Sequence, residues 1–143
     1  MASRIVLLAL AAALAACAAR PPVAENPPRD GTVSVGLGGH ARFAGLDVEP
    51  VRIEEDSRCP TGVQCIQAGT VRLLVRIADR RGERQPVLTL GKPVALEAGG
   101  WLGLAAVCPY PRHPDRIARE SYRFTLAFRA EAPPTPLEQP CAG

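Results

Sequence analysis

The chain is poor in histidine, lysine and aromatic residues: it has two histidines, a single lysine (Lys92), and 4% Phe, Trp and Tyr. Each scarcity excludes something. His40 and His113 stand in no H-E-x-x-H spacing and no triad pattern, so histidine-based metal and acid–base centres have no framework here. Both read as solvent-exposed loop residues. Ser34, Ser57 and Ser121 sit in no nucleophile elbow. The apolar run after Arg4 ends by Cys17, and roughly 16 residues fall short of a hydrocarbon layer about 30 Å thick. Helical periodicity is nearly missing; Asp115 to Glu120, opening near Pro114, offers one short turn. Neither sign of charge dominates: the formal net charge is +3, with acids and arginines interspersed. That balance carries no nucleic-acid footprint. Every basic residue but Lys92 is Arg, which beside the many Ala and Pro residues reads as coding bias.

What is present begins at the N-terminus. Met1 to Arg4 is basic, Ile5 to Ala13 is apolar, and small residues precede Cys17 in Leu14-Ala15-Ala16-Cys17. This is the layout of a secretory signal. It resembles the lipobox of bacterial lipoproteins, and the resemblance implies removal of residues 1–16 and acylation of the Cys17 thiol. Two or more acyl chains hold a protein on a bilayer, where one binds only marginally. Ala18, where an aspartate would resemble an inner-membrane retention signal, implies the outer membrane, facing the periplasm, if the envelope has two membranes. The competing reading is a plain signal peptide with an incidental cysteine.

Composition then divides the chain. Residues 17–30 form a Pro-rich tether (Pro21, Pro22, Pro27, Pro28), residues 31–130 a single domain, and residues 131–143 a second Pro-rich tail. In polyproline II at about 3.1 Å per residue, Ala18 to Arg29 reaches roughly 40 Å.

With Cys17 committed to lipid, Cys59, Cys65, Cys108 and Cys141 remain. Four thiols in an oxidising compartment point to two disulfides, in one of three connectivities. Cys59–Cys65 with Cys108–Cys141 is favoured: Pro60-Thr61-Gly62 can turn the first pair back, and the second ties down the tail. Cys141 free or paired between chains is the alternative. Cys-x5-Cys lacks the tight spacing of a zinc site, and no cofactor is expected.

Between Gly31 and Ala130 the period is mostly two. Val33, Val35 and Leu37 share a face; Ala41 to Phe43 and Leu46 to Glu55 are extended, with a register jump at Pro50 that fits a bulge or an edge. Val71, Leu73, Val75 and Ile77 alternate with Arg72 and Arg76, and Asp79-Arg80-Arg81-Gly82 turns the chain. Gln85 to Leu90 is a shorter strand. Gly100 to Val107 is apolar on both faces, as a central strand would be. Tyr122, Phe124, Leu126 and Phe128 oppose Ser121, Arg123, Thr125 and Arg129. The fold class expected is all-β: a disulfide-stapled antiparallel sandwich or barrel of about six to eight strands.

The densest local pattern is Asp56-Ser57-Arg58-Cys59-Pro60, then Cys65 and Ala68-Gly69 leading into a strand. It resembles a motif of uncharacterised bacterial secreted proteins and lipoproteins, D-S-R-C-P…C…A-G. Many of those proteins carry Trp where this chain has Gln67, and Val107-Cys108-Pro109-Tyr110-Pro111 is similar to their V-x-P-Y-P segment. The resemblance implies a compact all-β domain and brings no activity. Physically, Asp56 and Ser57 can cap backbone N–H groups, and Arg58 can bridge to Asp56 or bond loop carbonyls. Two readings stand side by side. A stiff loop of Asp56, Ser57, Arg58 and Gln64 meets an envelope protein partner, or the loop is a stapled crossover between strands.

Other patterns carry less. Gly36-Leu37-Gly38-Gly39-His40-Ala41 fits G-x-G-x-x-G/A by count, but its flanks are strand-like, so a Gly-rich hairpin loop is expected. A calcium site at Glu54-Glu55-Asp56 is thinly supported, since neighbours on a strand point to opposite faces. Tyr110 between two prolines is a rigid aromatic, either a contact or a packed turn. No acid, base, nucleophile and metal set converges, so a non-enzymatic, bilayer-anchored binding or structural protein is expected. The alternative is an inhibitor of a lytic enzyme or protease.

Overall fold

A computed structural model describes residues 30–43, 45–136 and 141. The signal-like segment 1–16, Cys17 and the stretch to residue 29 lie outside the described residues, as do 137–140. The strands are β1 (Gly31–Val35), β2 (Ala41–Phe43), β3 (Leu46–Asp56), β4 (Val71–Asp79), β5 (Gly82–Arg84), β6 (Val87–Thr89), β7 (Val94–Ala95), β8 (Trp101–Cys108) and β9 (Arg123–Arg129). One sheet runs β1-β9-β8-β7; the other runs β2-β3-β4-β5, with β6 also on β4. Every strand pair is antiparallel. The architecture is a two-sheet sandwich and not a closed barrel. Among the described residues there are nine strands beside the expected six to eight or so, several of them only two or three residues long.

The period-two pattern explains the core. Val71, Leu73, Val75 and Ile77 of β4 are buried, and so are Phe124, Leu126 and Phe128 of β9. Phe43 and Phe128 meet across the two sheets with ring centroids 5.8 Å apart. Each such side chain contributes about 1.5–3 kcal/mol by leaving water. The register jump at Pro50 is a bulge: β3 and β4 slip between Pro50 and Arg52, and again between Ile53 and Glu55. Proline has no amide to give the ladder, and Pro50 O instead accepts from Gly38 N at 2.8 Å.

Three expectations need correction or trimming. The strand expected at Gln85 to Leu90 is present but shorter: β6 starts after Pro86, whose carbonyl accepts from Val75 N at 3.0 Å. The helical turn expected from Asp115 forms later, as a single 3-10 turn at Arg119–Ser121. The Gly-rich loop is not a hairpin, since β1 pairs β9 while β2 pairs β3. It carries the chain from one sheet to the other, with Gly38 at φ 72°.

The Pro-rich tail, expected to be tied to the domain through Cys141, also packs against it. Pro134 is buried. A Cβ at Gly103 would come within 2.8 Å of Pro134 Cγ, and one at Gly91 within 3.2 Å of Pro136 Cγ. The tail therefore covers the outer face of β8, and Cys141 bonds back to Cys108 at the strand's end. This cover, added to the core on the inner face, is why β8 is buried from Leu102 to Val107. Leu90 and Gly91 tie the sheets along that side, through Leu90 N to Val71 O (2.9 Å) and Gly91 N to Leu104 O (3.0 Å).

Strand directions give the sandwich two poles. Asp30, Gly45, Asp79 and Gly99 sit at one, where Asp30 Oδ1 accepts from Ala130 N at 2.7 Å. The loops after β3 and β8 form the other.

Candidate functional site

The loop between β3 and β4 is closed at its neck. Ser57 N donates to Thr70 O at 2.8 Å, and Thr70 N donates to Ser57 Oγ at 3.0 Å. Ser57 Oγ also donates to Glu55 Oε1 at 2.8 Å. Gly69 is required here, because a Cβ at that position would fall on the Ser57 carbonyl. Beyond the neck, Cys59 and Cys65 form a disulfide with Cα atoms 5.9 Å apart. Both expected pairings are present, Cys59–Cys65 and Cys108–Cys141.

Arg58 makes the expected bridge to Asp56, and its carbonyl acceptor lies on strand β8 and not in the loop. Its Nε and Nη2 donate to Asp56 Oδ1 and Oδ2 at 2.8 and 2.7 Å, a bidentate fork. Its Nη1 crosses to the other sheet and donates to Val107 O at 2.6 Å. The Tyr122 hydroxyl, from the residue just before β9, donates to Asp56 Oδ2 at 2.9 Å. Asp56, Arg58, Tyr122 and Val107 thus form one clasp between the sheets. Burial raises the Asp56 carboxyl, but the bonds from Arg58 and Tyr122 outweigh it and hold the group below its ordinary value. Burial first, then the Asp56 carboxylate, push the Tyr122 phenol up to about 12.

Of the loop residues expected to meet a partner, Asp56 and Arg58 are therefore turned inward. Arg58 is 7% exposed and occupied by Asp56, so it is not presented to solvent; this corrects the reading that the loop offers it to a partner. Ser57 is spent on the neck. Gln64 is exposed, as Gln67 is. The carboxylates of Glu54, Glu55 and Asp56 do not converge: each has a different partner, Arg52, Ser57 and Arg58. His40 and His113 are exposed loop residues, the first with Nδ1 2.9 Å from Asp47 Oδ1.

A second loop braces the first. Thr61 N donates to Pro111 O at 3.0 Å, and His113 N donates to Thr61 O at 3.1 Å. The Tyr110 ring lies over the Arg58 guanidinium, 5.5 Å from Cζ to the ring centroid. Tyr110 itself is exposed, so it is at once a lid on the clasp and a surface aromatic. No family model, curated protein or solved structure matches this chain.

The opposite pole holds a cavity of about 370 Å³ lined by Leu46, Leu96, Gly99, Gly100, Phe128 and Asp79. Its one carboxylate is already engaged. Asp79 accepts from Arg84 Nη1 and from Arg81 N, both at 2.8 Å, and these bonds hold it below its ordinary value. Sequence reasoning missed this cavity, since its walls come from four separate turns. It also missed Tyr122 and Val107 as clasp partners; the only hint was a tyrosine opening an otherwise phenylalanine-rich face.

Proposed function

We propose that the chain is an acyl-anchored cell-envelope protein with a non-catalytic binding or structural role. In this reading Cys17 carries the lipid, the Pro-rich segment after it is the leash, and the sandwich is the working part. The observation that carries it is the fate of the remaining cysteines. All four are consumed in two disulfides, the state expected of an exported domain of about 100 residues. Ala18 after Cys17 supports the periplasmic face of the outer membrane. The charged groups of the clasp point the same way, because each is committed to a neighbour and none is free to act on a substrate.

Metabolic labelling with a radioactive fatty acid tests the anchor. Label in the wild-type chain and none in Cys17→Ser supports it; equal label, or none in either, removes it. The exposed, braced Cys59–Cys65 loop favours a second reading, inhibition of a lytic enzyme or protease by a stiff inserted loop. Purified protein that leaves lysozymes and common proteases untouched at micromolar levels removes that reading.

A further inference from the structure

Among the described residues the large hydrophobic side chains left in solvent are Val63, Ile66 and Tyr110, at 40%, 104% and 49% exposure. All three lie on the two braced loops of one pole. A single exposed aliphatic is ordinary; here three exposed apolar side chains stand on two loops bonded to each other through Thr61. The loop from Cys59 to Ala68 contains no charged residue, and its apolar positions alternate with the amides Gln64 and Gln67. Arg112, exposed, lies beside it in register with Thr61, and Arg116 with Asp115 follows. An uncharged apolar centre edged by amides and arginine has the anatomy of a protein interface.

We propose that this pole docks into another protein, at an apolar pocket bordered by carboxylates. Ile66 is the anchor that fills the pocket, Tyr110 and Val63 flank it, and Arg112 meets the acidic border. The disulfide, the closed neck and the Thr61 bonds hold the tip in one shape, so little loop entropy remains to be lost on binding. A lipid surface fits less well, because Gln64, Gln67 and the loop amides would enter hydrocarbon without partners.

The test uses the full-length chain in the cells that make it, with a photo-crosslinking residue at Gln64 or Gln67 and, as control, at Ala98 on the opposite pole. The expected result is a protein adduct from the tip and none from Ala98. With that partner purified, Ile66→Glu weakens binding about 10- to 100-fold while Tm is unchanged. Arg112→Glu slows association and flattens its salt dependence. The proposal is overturned by adducts to phospholipid, by equal adducts from Ala98, by no protein adduct at the tip, or by full binding of Ile66→Glu. None of these outcomes bears on acylation, which fatty-acid labelling of Cys17 reads separately.

Discussion

Arg58 Nη1 stands 2.6 Å from the carbonyl oxygen of Val107, so one guanidinium joins the β3–β4 loop of one sheet to β8, a central strand of the other. The remaining nitrogens grip Asp56, and the pair is nearly dry, with side chains 5% and 12% exposed. Removing one partner of such a pair leaves a buried charge without compensation. Arg58→Ala is expected to cost about 3–5 kcal/mol, read as a lower urea midpoint. Arg58→Lys keeps the charge but loses the fork, and should recover only part of the loss. Tyr122→Phe should cost less, about 1.5–3 kcal/mol, because only one bond to the carboxylate goes.

The same clasp, together with Asp79 at the opposite pole, sets a pH window. Asp56 and Asp79 lie below their ordinary 3.8 in the folded chain. Their contribution is complete above that value and is lost as pH falls below it. Tyr122 is raised from 10.0 to about 12, so its contribution is complete below pH 10.0 and is lost as pH climbs toward 12. Urea midpoints measured across pH should therefore be flat in the middle and fall at both ends. In Tyr122→Phe the alkaline fall attributable to this phenol should vanish.

Gly69→Ala should be among the most damaging small substitutions, because the added methyl falls on the Ser57 carbonyl, which is backbone and cannot swing aside. A loss of about 3 kcal/mol or more is expected. Gly62→Ala is the contrast: at φ 91° with open space around it, it meets only the left-handed penalty of about 1–2 kcal/mol. Thermal melts of the two variants side by side check the ordering.

The two disulfides should differ in weight. Cys59 and Cys65 are 6 apart in sequence, Cys108 and Cys141 are 33 apart. Loop-closure entropy then gives about 2 kcal/mol for the first and about 4 for the second. Cys108→Ser with Cys141→Ser should also release the tail from β8, seen as faster proteolysis after Ala130. Equal stability losses in the two double mutants would contradict this.

What could be read in advance follows from the range of each interaction. The alternation of β4 and β9 and the bulge at Pro50 are local, and appear where period and proline place them. The Asp56–Arg58 fork spans two positions and was visible as an option. Its other ends were not: Val107 and Tyr122 lie 49 and 66 positions from their partners, brought close only when the sheets pack. The uncharged run of β8 announced burial on both faces. It did not say that the cover would be the proline tail, because Pro134 meets Gly103 only through tertiary structure. The exposure of Ile66 was equally hidden, since a Cys-Ile-Gln sequence reads the same inside or out.

The central claim is that a translocated, acylated chain closes its remaining thiols and holds a sandwich on a leash. Intact mass analysis of the protein from its own cells tests this most directly. The account predicts material in the membrane fraction that begins at Cys17, carries diacylglycerol and further acyl mass, and has two disulfides. Cytosolic material that keeps Met1, lacks acyl groups and titrates with four free thiols besides Cys17 would contradict it.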